Sequence, residues 1–473
     1  MEFNSLFFIF ICMPLLTGSL YFIKNNGIRN GIILLFSLLF YALGDIKHIG
    51  IILITIALAY LFAKKVKGNG KAYFSYITVQ LLILAIYKYS FLQPVKLLTM
   101  PLGVSFFTFT AISYVSDVYY EKYEYERNIF SVANYILFFP TVISGPLNRF
   151  DVIKKGLNEK EIHIDHLAHG LRRFIIGLGK KVIFANQLAI ICDAVFQDST
   201  RPMFLLSVYG LAAYAMQLYY DFSGYSDMAI GIGEMIGFEV PENFDEPYFS
   251  HSITEFWRRW HITLGSWFKE YLYYPILRSK WLTDLTKKIG KTKGKKTARK
   301  ITNAIALTIT WTLIGCWHGA SWRFVLYGMY HGFFVITSTL FEKQYKKFRE
   351  KWQISSDSKW FRCFQIIRTD VLVTIGYILF RSESLRQIKN IVKGLIGRGE
   401  AVNMFYIRQL DILYLLPYLL LAFLLSFPFV HRFFKKLEEK MPTLYDLGLI
   451  GILLVSVLLI VSGSYSAFIY FNF

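Results

Sequence analysis

Between Lys300 and Arg323 the chain carries no Asp, Glu, Lys or Arg, yet His318 stands there, between Trp317 and Gly319 in the stretch GCWHGASW. Near neutral pH an imidazole takes up a proton and gives it back, as a general base must. Gly315 and Gly319 bracket the ring and let a backbone or a substrate come close. The residues alone leave a packed core histidine open beside the base. His331 lies 13 residues on. Along one continuous helix that is about 220° around, so the two rings would not share a face. Packing or a hydrogen bond accounts for His331.

A second histidine sits in FWRRWHITLGSWFKEYLYYPI, residues 256–276. Ser252 or Thr254 caps a helix starting there, and Glu255 pairs with Arg258 and Arg259 at i,i+3 and i,i+4. With Trp257, Trp260 and Trp267, His261 reads as part of an amphipathic interfacial helix entering a cavity. An interfacial or packed histidine is the alternative. Asp221 and Asp227 fall in QLYYDFSGYSDMAIGIG, an apolar helix candidate. Acids at membrane depth are expensive and face a bundle interior or a watery cavity. Pairing with backbone or a base is one reading for each, and substrate contact the other. His163, His166 and His169 run beside Asp165 as a solvated helix face or, less simply, a metal site. No GxSxG elbow, HExxH pair, Walker loop or GxGxxG fingerprint stands in a suitable context.

The elements that must position these rings are membrane helices. Of the 473 residues 55% are hydrophobic and 18% charged, against about 45–50% and about 25% in a soluble domain. Windows of about 15 to 20 uncharged residues suffice to cross the hydrocarbon core. The net charge of +20 fits basic residues held in cytoplasmic loops better than nucleic-acid binding. The first run, Phe3–Ile23, has neither a basic n-region nor a cleavage site and reads as a retained span. Runs at 30–44, 50–63, 72–92, 101–116 and 128–148 come next, the one after Pro101 crossing incompletely. Lys24, Arg29 and the stretch KKVKGNGK place the first and third loops inside, and so the N-terminus outside. The stretch 278–300 holds ten bases and one acid, and its Lys/Gly/Thr part near 290–298 reads as a solvated loop. All basic segments lie inside if 301–318 exits and 324–341 returns. The tail 446–473 then exits and ends outside in FIYFNF. The four cysteines are scattered and form no CxxC pattern.

The two histidine blocks, FWRRWHITLGSWFKEYLYYPI and GCWHGASWRFVLYGMYHG, carry a resemblance. With PLGVSFFTFTAISYVSDVYY, FFPTVISGPLNRF, GLRRFIIGLGKKVIFAN and FIYFNF, the chain resembles the membrane-bound O-acyltransferase family over nearly its whole length, and within it the bacterial alginate O-acetyltransferase branch. The resemblance implies an all-α polytopic membrane protein: a ring of about 11 transmembrane helices, with re-entrant or interfacial helices, around a central funnel or tunnel. It implies a single domain over 1–473, with N-terminal helices in 1–95, a core holding both histidine blocks in 96–345 and C-terminal helices in 346–473. The family's catalytic histidine falls on His318 and its second marked histidine on His261.

The activity implied is O-acetyl transfer in the bacterial cytoplasmic (inner) membrane. The donor is acetyl-CoA or another acyl thioester reached from the cytoplasm, with no bound cofactor and no metal. The acceptor is an extracytoplasmic polysaccharide or a partner extracytoplasmic acetyltransferase. His318 would deprotonate the attacking hydroxyl and later protonate the thiolate. Trp317, Trp322, Tyr219 or Tyr220 would steady the oxyanion, and nothing in the sequence selects among them. Trp317, Asp221, Tyr220 and Arg258 are the candidate substrate contacts. D-alanyl transfer to teichoic acid from a carrier protein is the alternative within the family, and a non-enzymatic transporter the alternative outside it.

Overall fold

The computed structural model describes residues 2–89, 99–158, 162–197, 201–355, 358–400 and 412–463. Among them helix is the only extended regular element, and the one strand-like pairing is an isolated bridge between Phe244 and Trp260. The helices that matter below are α1 (Asn26–Asp45), α2 (Ile49–Ala63), α3 (Gly70–Lys88), α4 (Val104–Tyr119), α5 (Ile164–Gly179), α6 (Phe204–Met235), α7 (Ile253–Arg259), α8 (Ile262–Phe268), α9 (Lys280–Lys293), α10 (Lys295–His318), α11 (Trp322–Leu340), α12 (Lys359–Arg381) and α13 (Pro442–Val461).

Five helical stretches among the described residues are long and apolar enough to cross a bilayer: Asn26–Ala63, Gly70–Lys88, Ile164–Val195, Lys359–Arg381 and Pro442–Val461. The number rises to seven if two bent pairs each form one span, α11 with Glu342–Lys351 at 66° and Leu416–Leu425 with Pro428–Lys440 at 72°. The protein is therefore an all-helical, multi-pass membrane protein.

Several expected runs take a different form. The runs at 30–44 and 50–63 join through a 3-10 turn, Ile46–His48, into one helical stretch of 38 residues. The run at 128–148 is helical only at Ile129–Ile136. Pro140, Gly145 and Pro146 break the remainder of that run, because proline lacks the N–H that a helix needs. The loop expected near 290–298 is a helix–turn–helix: α9 ends at Lys293, Gly294 turns at φ 83°, and α10 starts at Lys295. The run after Pro101 forms α4, buried from Val104 to Val118. Its cap, Gly103, has φ 70°, and a Cβ there would lie 2.4 Å from the Val142 carbonyl oxygen. The terminal FIYFNF lies outside the described residues.

The chain divides into two compact units: Met1–Asn186 with Tyr219–Asn243 and Leu437–Phe473, and Gln187–Leu218 with Phe244–Lys436. The first is locked by a crossing of α5 with the second half of α6. A Cβ on Gly170 would lie 2.5 Å from the Gly231 oxygen, and one on Gly177 2.5 Å from the Gly224 oxygen. Two seven-residue repeats of glycine thus let the backbones touch. Charge is sealed beside this crossing. The π turn Lys180–Ala185 continues directly from α5. Lys180 donates to Asp227 at 2.6 Å, Arg173 donates to the same carboxylate at 2.7 Å, and Lys181 pairs with Asp221. On α13, Asp446 accepts two hydrogen bonds at 2.8 Å from Arg172.

Candidate active site

His318 and His261 both belong to the second unit. α10 and α11 form an antiparallel hairpin that ends in His318. A Cβ on Gly315 would lie 2.6 Å from the Phe324 carbonyl oxygen, and one on Gly328 2.3 Å from that of Trp311. What comes close at Gly315 is therefore a backbone, that of α11. At Gly319 it is a ring, since a Cβ there would meet Phe324 at 2.8 Å. At the far end of the hairpin Lys300 donates to the Leu340 carbonyl at 3.0 Å, satisfying an acceptor that the end of α11 leaves open.

α10 itself is not among the helices apolar enough to count as spans. Its 24 residues would reach about 36 Å at 1.5 Å each, but threonines dilute its hydropathy. Thr302, Thr308, Thr310 and Thr312 each turn their hydroxyl back onto the carbonyl four residues earlier, at 2.8–3.0 Å. Their polarity is thus spent within the helix.

His318 is 8% exposed. Its ring is walled by Trp317 at 4.5 Å between centroids, Phe380 at 5.2 Å, Tyr327 at 6.0 Å and Phe324 at 6.2 Å. Arg323 holds the α11–α12 side of this wall, lying over Phe324 at 4.4 Å and donating to the Ser382 carbonyl. Tyr327, Phe324 and Phe380 carry no signal that singles them out in an aromatic-rich sequence. The turn at Gly319 folds Phe324 and Tyr327 over His318, and the packing of α12 on α11 brings Phe380 there.

The block around His261 is two short helices rather than one. Ser252 caps α7, accepting from the Glu255 N–H at 3.1 Å, and Arg259 pairs with Glu255 at 2.8 Å. Arg258 is exposed and donates to the Thr254 carbonyl at 3.4 Å. α7 then stops: Trp260 is extended and bridges to Phe244, and His261 has φ 46°. A left-handed backbone is costly for a residue with a Cβ, and such residues cluster at functional sites. His261 is 3% exposed and starts α8.

Aromatic rings join the two histidine blocks. Phe268, closing α8, packs on Trp317 at 5.7 Å, and Trp257 of α7 lies 6.4 Å from Tyr327. Trp260 packs on Tyr377 of α12 at 6.4 Å, one turn before Phe380. His331 is also nearer than the helical wheel suggests. The chain turns between α10 and α11, so His331 and His318 sit on different helices and both touch Tyr327, at 4.6 and 6.0 Å.

The other sequence candidates are dispersed. Trp317 is buried beside His318, whereas Trp322 is 80% exposed at the start of α11. Tyr220 and Asp221 belong to the first unit, Tyr220 against Phe184 and Tyr219, each at 5.1 Å, and Asp221 against Lys181. His163 and His166 are exposed, and His169 pairs with Glu234 at 2.7 Å. Among the described residues no group of three or more His, Cys, Asp or Glu side chains is placed to hold a metal.

Residues 33–288 match the profile of the membrane-bound O-acyltransferase family. A probable alginate O-acetylase of Azotobacter vinelandii is 35% identical over 410 residues, covering 81% of this chain and 76% of the relative. The chain belongs to the membrane-bound O-acyltransferase family. It is an acyltransferase. This O-acyltransferase is also similar to a peptidoglycan O-acetyltransferase of Helicobacter pylori, 28% identical over 100% of this chain and 97% of the relative. To a teichoic acid D-alanyltransferase of Bacillus subtilis it is 29% identical over 59% of this chain and 68% of the relative. Within the O-acyltransferase the family profile takes in the His261 block and ends before α10.

Proposed function

We propose that this acyltransferase is a membrane O-acetyltransferase that takes an acetyl group from acetyl-CoA or another acyl thioester on the cytoplasmic side. It sends that group to the O-acetylation of an extracytoplasmic polysaccharide. The acceptor hydroxyl belongs to the polymer or to a partner extracytoplasmic acetyltransferase. The enzyme sits in a bacterial inner membrane as a single domain, a ring of about 11 spans around a tunnel. Its N-terminus is outside, on the charge of its first and third loops.

The observation that carries the reading is His318, the last residue of α10, boxed by Trp317, Phe324, Tyr327 and Phe380. An apolar box keeps bulk water from competing with the intended alcohol for the acyl group. In the proposed step the acceptor oxygen bonds to the thioester carbonyl carbon while His318 takes the hydroxyl proton. The carbon–sulfur bond then breaks and the proton passes from His318 to the thiolate. Trp317 offers its indole N–H to the oxyanion. His261 orients the thioester arm, and Arg258, exposed on α7, meets the donor's charged end. For Asp221 the pair with Lys181 supports a structural role, and Tyr220 is left as the substrate contact of that segment.

The test supplies labelled acetyl-CoA, and separately a charged carrier protein, to purified wild type and His318→Ala. The expected result is transfer from acetyl-CoA that falls by about 10²–10⁴-fold in the variant, with membrane insertion unchanged. Transfer from the carrier protein alone would move the assignment to D-alanyl transfer, which the Bacillus subtilis relative represents over a smaller share of the chain. Transfer from neither donor in a His318-dependent way would end the enzymatic assignment of this histidine.

A further inference from the structure

His331 is enclosed completely, at 0% exposure. Neither ring nitrogen has a hydrogen-bond partner among the described residues. Four rings surround it: Tyr327 at 4.6 Å and 74°, Trp257 at 5.1 Å and 82°, Tyr330 at 5.2 Å and 86°, and Trp311 at 6.4 Å and 34°. The backbone of α12 closes the remaining side, since a Cβ on Gly376 would lie 2.6 Å from its Nε2. If this position only filled space, a phenylalanine would fill it at no polar cost, because buried polar groups without partners are unfavourable. The imidazole therefore has work that a phenyl ring does not do.

The surrounding rings offer contacts that suit an imidazole. Three of the four neighbours stand near perpendicular to the imidazole, the arrangement in which a positive ring edge meets a negative ring face. An N–H edge is more positive than a C–H edge and makes the stronger contact with an aromatic face. Tyr327 lies four residues earlier on α11, on the same helical face, and its ring is also part of the wall around His318. We propose that His331 is a positioning residue for acyl transfer: it holds Tyr327, through ring-edge contacts, in the orientation that shapes the wall against which His318 works. This rests on the reading of His318 as the base.

The experiment compares wild type with His331→Phe, His331→Gln and Tyr327→Leu, and with His331→Phe combined with Tyr327→Leu, all in the full-length protein. Labelled acetyl-CoA is the donor, and insertion and melting temperature are measured in parallel. His331→Phe keeps shape and loses the N–H. Its kcat should fall about tenfold, the scale of a misplaced wall, with KM for the donor and melting temperature unchanged. His331→Gln, which keeps an N–H, should recover to within about threefold of wild type. In the Tyr327→Leu background, which removes the ring that His331 holds, the His331→Phe loss should shrink, as expected of coupled residues. Should the Phe variant fail to insert, His331→Leu supplies the apolar arm. A wild-type kcat in the apolar variant, a Gln variant no better than it, or an undiminished loss without the Tyr327 ring would each overturn the proposal. His318→Ala is run alongside. If it also keeps full transfer, the reading of His318 fails. If it is inactive while His331→Phe is normal, only the role of His331 fails.

Discussion

His261 holds its backbone at φ 46° in a position where glycine would be at ease. That conformation costs on the order of 1–3 kcal/mol, and the chain keeps an imidazole there regardless. We expect His261→Gly to melt higher than His261→Ala, because only the alanine retains a Cβ in the left-handed region, while both transfer acyl groups poorly. Thermal unfolding in detergent checks this, and the opposite order of melting would mean that no strain is held at this position. At this scale the sequence was generous with His318, because a lone imidazole in an uncharged run is visible to the eye. It was silent on the strain at His261, which directly follows the bridge between Phe244 and Trp260, a contact that no local pattern encodes.

At the scale of elements, small residues decide where helices meet. A methyl group on Gly315 has no room against the Phe324 carbonyl at 2.6 Å. Gly315→Ala should therefore cost about 1–3 kcal/mol and lower acyl transfer by moving the wall of the His318 box. A variant with wild-type melting and turnover would refute the close packing of α10 on α11. In the other unit, Lys181 and Asp221 are 3% and 2% exposed. Removing one partner strands a buried charge, worth about 3–5 kcal/mol. Lys181→Met should be severely destabilised, and adding Asp221→Leu should restore much of the loss. If the double variant is as unstable as the single, the pair is not the source of the cost. Charge and hydropathy made the helices legible, but their ends were not. Ser252 was readable as a cap, whereas the joining of α1 to α2 through Ile46–His48 depends on the fold around it.

For the whole molecule, loop charge gives a proposed orientation that labelling can check. In a background without Cys12, Cys192, Cys316 and Cys363, cysteines at Lys24, Lys47 and Lys67 are exposed in turn to a membrane-impermeant maleimide on intact cells. Two crossings between Lys24 and Lys67 predict labelling of Lys47→Cys alone. Labelling at just one of positions 24 and 67 would mean that the 38-residue stretch Asn26–Ala63 crosses once, and labelling at 24 would reassign the N-terminus. The family was legible because two dense histidine blocks lie in this one chain. The number of spans was not, because hydropathy does not say whether a bent pair such as α11 with Glu342–Lys351 crosses as one span.

The hairpin of α10 and α11 has a consequence for how the protein is made. It is closed at one end where Gly315 meets Phe324 and at the other where Lys300 reaches Leu340. α10 emerges from the ribosome first, and it is less apolar than the helices that count as spans by themselves. We expect it to be retained until α11 arrives, so that both helices enter together. His318 is thus carried to its place by residues synthesised after it. A ribosome stalled before Leu340 has left its exit tunnel should hold a chain in which a crosslinker placed on α10 still captures the insertion machinery rather than lipid.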